Sequence, residues 1–206
     1  MRSKKITAAN PKDKILSSAS QEFAKYGLAG ARVDRIAARA KINKAMIYYY
    51  FRSKENLYQT VIDQHLSKIR KLAKGIVITE ADPELIFQRW AGLYGELFEN
   101  REEIVPIFLR EVASGGKRMN QALTRVLTEE RLVEKLEEVI EEGKRKGLFR
   151  DVDTKQAIIS FVGMNIFYLI MSPIVNSVLD IKNQKDFQHK RQKEVVDLFL
   201  HGLETR

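Results

Sequence analysis

Val33-Asp34-Arg35-Ile36-Ala37-Ala38-Arg39-Ala40, then Lys41-Ile42-Asn43, then Lys44-Ala45-Met46-Ile47-Tyr48-Tyr49-Tyr50-Phe51 is the stretch on which the reading of this 206-residue chain turns. Ile36, Ala37 and Ala40 fall on one face of a short helix, and Ile47 and Phe51 on one face of a second. Small alanines let two helices cross closely at a steep angle, as a helix-turn-helix requires. Asn43 is placed to accept from the free N–H groups that open the second helix. With Ile47 turned to the core, Ala45 and Tyr49 lie almost opposite it, and Met46 and Tyr48 sit on the flanks. A helix this short cannot bury three consecutive tyrosines, so Tyr48 and Tyr49 are expected to point outward.

Outward tyrosines beside Arg39, Lys41, Lys44, Arg52 and Lys54 suit a phosphate backbone. The charge distribution agrees. Residues 1–74 hold 17 Lys/Arg and 5 Asp/Glu, a net +12, whereas the remainder nets −3 in a chain of +9 overall. A basic first third joined to a mildly acidic remainder points to a polyanionic partner. A solvated basic surface on an ordinary helical hairpin, as in a protein-binding adaptor, is the competing explanation.

Helical periodicity continues along the whole chain, which predicts an all-α protein. Ile15-Ala19-Phe23-Tyr26 forms one stripe, and Leu57-Val61-Ile62-His65-Leu66-Ile69 a second. Phe87-Trp90-Ala91-Tyr94-Phe98, Leu132-Leu136-Val139-Ile140 and Val195-Leu198-Phe199-Leu203 follow. Breaks are expected at Gly27 and Gly30, at Ser114-Gly115-Gly116 and around Gly143 and Gly147. Asp82-Pro83 and Asp153 read as helix starts. Loops are expected near 75–82 and 180–186.

Several function classes find no support. The chain has no cysteine, so disulfides and thiolate metal sites are excluded. Its histidines, His65, His189 and His201, are far apart, and no His-Glu-x-x-His pair, phosphate loop or nucleophile elbow occurs. Glu102-Glu103 and Glu129-Glu130 read as solvated helix surface. No enzyme activity, metal or cofactor is therefore expected. The apolar stretch Ala157–Leu179 contains Ser160, Asn165, Ser172, Pro173 and Asn176, and reads as a buried helix, not a membrane span. A cytoplasmic location fits.

Residues 14–62 resemble the N-terminal domain of the tetracycline-repressor (TetR) family. The matching positions are Lys14-Ile15-Leu16, Ala19, Phe23, Tyr26-Gly27, Val33, Ile36-Ala37, Ala40, Ile42, Ile47-Tyr48, Tyr50-Phe51, Ser53-Lys54-Glu55 and Leu57-Tyr58. Gly147-Leu148-Phe149-Arg150 and Leu198–Leu203 look like the family's C-terminal half. The resemblance implies a homodimeric transcriptional regulator, a repressor, with a three-helix DNA-binding domain at 1–53. An effector-binding and dimerisation domain follows at 54–206, its residues 54–74 forming a linking helix. It further implies that Tyr48 and Lys54 hold phosphates, that Lys44, Ala45 and Tyr49 meet bases, and that Met46 flanks them. The family's hydroxyl at the start of the second helix is replaced by Ala31-Arg32, so that Arg32 is expected to supply a cation. The usual turn glycine is replaced by Lys41, which implies either a left-handed residue with a side chain or a slightly different turn.

In the C-terminal part, two aromatic-rich faces suggest a pocket for a small, mostly apolar effector near Trp90, Tyr94, Phe161, Asn165 and Tyr168. A plain hydrophobic core explains the same residues. The helix expected at 153–179 is too apolar to have a single buried face. Beside the amphipathic helix at 184–204, it suggests a four-helix dimer interface. A dimer would read a near-palindromic duplex with half-sites about 34–36 Å apart or a multiple of that.

Overall fold

The computed structural model describes residues 10–74 and 82–205, and among these it contains ten helices and no strand. They are α1 (Pro11–Gly30), α2 (Val33–Ala40), α3 (Lys44–Phe51), α4 (Lys54–Lys74) and α5 (Pro83–Glu99). Then come α6 (Arg101–Ala113), α7 (Lys117–Glu129), α8 (Leu132–Arg145), α9 (Thr154–Val178) and α10 (Gln184–Leu203). Helix starts follow local capping chemistry. Asn10, Asn43, Asp82, Asp153 and Asn183 each accept a hydrogen bond from a backbone N–H of the first turn. Because Asn183 already caps α10, the loop expected at 180–186 is shorter than its sequence suggested. The loop expected near 75–82 lies outside the described residues, apart from Asp82.

The chain divides into two compact units. The first runs through His65 and includes Glu102–Asn120; the second comprises Leu66–Arg101 and Gln121–Arg206.

In the first unit, Ile15, Ala19 and Phe23 of α1 meet Ile36 and Ala37 of α2, Ile47 and Phe51 of α3, and Leu57, Tyr58, Val61 and Ile62 of α4; all are buried. Phe23 and Tyr58 form an edge-to-face pair with centroids 4.8 Å apart. Tyr26 leaves this stripe and is exposed, because the chain breaks just beyond it. Gly27 adopts φ 65° and ψ −179°, a region essentially closed to other residues. A Cβ at Gly27 would also meet Arg110 Cδ at 3.1 Å. Arg110 of α6 uses that gap, donating to the carbonyls of Ala24 and, at 3.1 Å, Lys25. Glu111, one residue on, is buried. It accepts from the Tyr58 hydroxyl at 3.0 Å and from the Met119 N–H at 3.3 Å. Ser20 of α1 lies 2.9 Å from His65 Nε2 of α4 and also donates to Glu103 of α6.

In the second unit, α5, α9 and α10 pack around Phe87, Phe161 and Phe199. Centroid separations are 5.0 Å for Phe87–Phe161 and 5.1 Å for the other two pairs. Phe98 stacks on Tyr168 at 5.4 Å with planes 8° apart, and Phe187 lies 5.0 Å from Tyr168. The chain end clasps the segment before α9. Arg150 N–H donates to Leu203 O at 2.8 Å and Thr205 N–H to Leu148 O at 3.3 Å. Phe149 sits over Gly143, where a Cβ would come within 2.1 Å of its ring.

Tyr58 offers a check on this packing. Burial and the neighbouring Glu111 carboxylate push its hydroxyl above the ordinary tyrosine range. The folded state therefore holds this proton more tightly than the unfolded chain does. The stability involved is fully present at neutral pH and is lost as pH rises beyond about 10, where unfolded tyrosines ionise. Tyr58→Phe should cost about 1–3 kcal/mol at neutral pH, since it leaves a buried carboxylate oxygen unpaired. It should also flatten the alkaline loss of stability. Urea titrations at a series of pH values check both effects, and an unchanged alkaline slope would separate Tyr58 from it.

Candidate nucleic-acid interface

The interface begins with a carboxylate that no motif marks. Glu22 of α1 is fully buried, 0% exposed. Its Oε1 accepts from the Arg32 backbone N–H at 3.1 Å and from Arg35 Nε at 2.6 Å. Arg35 also donates to Gly30 O at 2.9 Å and stacks over the Tyr26 ring at 4.2 Å. The second carboxylate oxygen has no hydrogen bond, and its cation neighbour is Arg39 Nη1 at 3.9 Å. Thus α2, which lacks a side-chain cap of its own at Arg32, has an N-terminal N–H satisfied by a residue ten positions earlier. Sequence reasoning missed Glu22. The available signal was a charged residue at helical spacing from Ile15 and Ala19, on the face of α1 that packs against α2.

Of the two turn geometries open to Lys41, the left-handed one is adopted. Lys41 takes the left-handed conformation (φ 55°, ψ 48°), closing α2 with N–H groups at 41 and 42 donating to Ala38 O and Ala37 O. Without glycine this costs about 1 kcal/mol. Asn43 Oδ1 then accepts from Ala45 N–H at 2.8 Å, and α3 begins.

On α3, Ile47 and Phe51 are buried, whereas Lys44, Ala45, Tyr48 and Tyr49 are exposed and Met46 is half-buried. Tyr49 is the most outward of the tyrosines, 68% exposed, and Tyr50 props it edge-on at 5.2 Å. Arg32 is exposed at the start of α2. Two cations are already engaged. Lys44 Nζ pairs with Asp34 Oδ1 at 2.8 Å, which lowers the Asp34 pKa and raises that of Lys44. Lys54 is half-buried, with its nitrogen 3.3 Å from Ala31 O and 3.5 Å from Ala29 O. Arg32, Lys44, Ala45, Met46, Tyr48 and Tyr49 thus share the outer surface of the helix-turn-helix. Lys54 is turned toward the carbonyls that join α1 to α2.

The five residues singled out in the C-terminal part all belong to the second unit but differ in character. Phe161 is core, enclosed by Phe87 and Phe199. Asn165 is buried but donates to Phe161 O of its own helix at 2.9 Å, so its amide N–H is engaged. Tyr168 is buried and donates to Asn176 Oδ1 at 2.8 Å. Trp90 is buried with its indole N–H unpaired. Tyr94 is half-buried, and desolvation raises its pKa. No group of three or more His, Asp or Glu side chains suited to a metal ion occurs among the described residues.

Residues 15–61 match the model of the bacterial regulatory proteins of the tetR family, and residues 83–198 match that of the tetracyclin repressor-like C-terminal domain. The chain belongs to the TetR family. Among TetR relatives, the transcriptional repressor NicS of Pseudomonas putida is 31% identical over 204 residues, covering 95% of this chain and 93% of NicS. The regulator RutR of Escherichia coli is 25% identical over 205 residues, covering 98% and 95%. Of solved structures, the fatty acid degradation regulator FadR from Bacillus halodurans superposes with a TM-score of 0.70 over 97% of this chain and all of that one. At 22% identity that is a likeness of fold. As in the TetR family at large, an N-terminal helix-turn-helix is followed by a helical C-terminal domain, and the chain is a transcriptional regulator.

If Glu22 fixes α2, Glu22→Gln should destabilise the protein by about 1–3 kcal/mol through loss of a buried, charge-assisted acceptor. DNA affinity should fall in parallel, because α2 sets the base on which α3 stands. Chemical denaturation and a gel-shift titration measure the two effects; a variant with unchanged stability would show that Arg35 and the Arg32 N–H do not depend on the carboxylate.

Proposed function

We propose that this regulator is a homodimeric repressor that lays α3 into the major groove of a near-palindromic operator and is controlled by a small molecule bound in its C-terminal domain. The observation that carries the DNA reading is the outer face of α3. A short helix presents Ala45 and Tyr49 directly outward, with Tyr48 and the Arg32 and Lys44 cations at its margins. In this reading residues 1–53 form the DNA-binding domain, and residues 54–206, beginning with the linking helix Lys54–Lys74, form the effector-binding and dimerisation domain. Tyr48, Arg32 and Lys54 serve the phosphates; Lys44, Ala45, Met46 and Tyr49 meet the base edges. For Lys54 this requires release from the Ala29 and Ala31 carbonyls, and for Lys44 release from Asp34. A cytoplasmic location and the absence of a catalytic role accompany this reading.

Dimerisation rests on α9. By length and composition this helix could cross a membrane, with a mean hydropathy of 2.0, yet only 22% of that window is buried within the chain. Ile159, Phe167, Ile174 and Val178 stand exposed on it, as does Leu198 on α10. A second copy covering the α9 and α10 faces through a two-fold axis accounts for this apolar surface without a membrane.

Two measurements test the proposal. In gel-shift titrations, Tyr49→Ala should change which duplexes are preferred. Arg32→Ala should weaken all duplexes alike and lower the salt dependence of log K by about one unit. A Tyr49→Ala variant with unaltered preference would remove α3 from base reading. In sedimentation at micromolar concentration the protein should run as a dimer, and Phe167→Glu should run as a folded monomer whose affinity for a full palindrome drops to that for a half-site. A monomeric native protein would overturn the assembly.

A further inference from the structure

Among the described residues of the second unit, aside from the ion-paired Arg70, four side chains hold a buried polar atom with no hydrogen-bond partner: Trp90 Nε1, Ser172 Oγ, Asn176 Nδ2 and Arg191 Nε. Trp90, Ser172 and Asn176 are more than nine-tenths buried. The deficit has one sign. All four atoms can donate, and three can only donate. Tyr94, half-buried, stands one turn along α5 from Trp90. Unpaired buried donors are unfavourable and mark places where something else supplies the acceptor.

These groups lie on α5, α9 and α10, which pack together. Tyr168, Ser172 and Asn176 form one stripe of α9, and because Tyr168 occupies Asn176 Oδ1, only the Asn176 amide N–H remains. The Arg191 guanidinium is 5.6 Å from the Tyr168 ring centroid and donates to Met164 O at 2.8 Å. The neighbouring Gln192 lies against Gly95, which brings the turns carrying Tyr94 and Arg191 side by side. Arg191 is half-buried and forms no ion pair among the described residues, and no described Asp or Glu of this unit is buried.

Accepting that the C-terminal domain binds an effector, we propose that this effector is a small organic acid whose carboxylate meets Arg191 and the free donors of Ser172 and Asn176, with its apolar body along Trp90 and Tyr94. An anion supplies both missing terms, the acceptors and the counter-charge, and arginine–carboxylate pairing gains strength where water is excluded. A lipophilic cation meets no buried carboxylate here. A neutral hydrocarbon, the mostly apolar ligand that aromatic content alone suggests, leaves every donor unpaired.

The test uses the full-length protein and two readouts, fluorescence of Trp90, the single tryptophan of the chain, and the melting temperature. The probes are benzoate, octanoate and a panel of other aromatic and medium-chain monocarboxylates, each beside its own amide and amine. Acids should bind at least about tenfold more tightly than their amides and amines, raise the melting temperature and alter DNA affinity. Arg191→Met should remove this preference. Asn176→Asp, which sets a carboxylate among the donors, should repel acids and favour amines, and it serves should Arg191→Met fail to fold. Amides or amines binding as tightly as acids, or acid binding unmoved by both substitutions, would overturn the anion assignment while leaving an effector site in place. If no compound of any class shifted fluorescence, melting temperature or DNA affinity, the effector reading would fall and this proposal with it.

Discussion

A single buried carboxylate fixes the start of α2, from which α3 follows. Glu22 lies in the apolar face of α1, where a lone charge would be costly to bury, and it is tolerated because α2 brings it a backbone N–H and the Arg35 guanidinium. The relation works in both directions. Without Glu22, the Arg32 N–H that opens α2 loses its acceptor and Arg35 keeps only Gly30 O; without α2, Glu22 is an unpaired charge in a core. Because α3 follows α2 through a three-residue turn, fixing the start of α2 fixes the angle at which Tyr49 faces outward. A hydroxyl cap would satisfy the helix alone. A carboxylate from α1 also ties the helix to its neighbour.

Much of this architecture was legible from residue spacing. The boundaries of α2 and α3, the Asn43 cap, the left-handed Lys41 and the limits of α9 and α10 follow from local rules, since caps and turns are decided by a few neighbouring residues. What escaped depends on partners distant in sequence. Glu22 reads as an ordinary surface charge until α2 is laid beside it. Tyr26 fits a core stripe by spacing, but the chain turns at Gly27 and leaves its ring to Arg35. Leu198 fits the α10 stripe by spacing and is nevertheless exposed within the single chain, on the face assigned above to a second copy in the proposed dimer. The packing of α6 with α1 and α4 through Arg110, Glu111 and Glu103 had no local signature at all, because each contact spans more than fifty residues.

The C-terminal residues show the same limit in another form. Aromatic density singled out α5 and α9 but could not separate Phe161, which is core, from Trp90, whose indole N–H is left over. That distinction is an accounting of hydrogen bonds, and hydrogen bonds are not visible in periodicity. The same accounting changes the chemistry expected of the proposed ligand. Counting rings points to a greasy ligand, whereas counting unmatched donors points to an acid.

The clasp at the chain end has a wider implication. Leu203 and Thr205 are hydrogen-bonded to Arg150 and Leu148, and Thr205 also donates to Gly147 O at 2.9 Å, so α9 and α10 form a hairpin closed at both ends. Such a closed element is a natural unit of exchange. Recombination or design can replace the segment from Gly147 to the terminus as one piece, carrying the exposed apolar face of α9 and α10 and its register together and leaving the helix-turn-helix unaltered. Conversely, the last few residues, which touch neither nucleic acid nor partner in the present reading, are not a free tail. A fusion placed directly on them pulls at the closure of the hairpin, so a C-terminal tag on this protein belongs behind a flexible spacer.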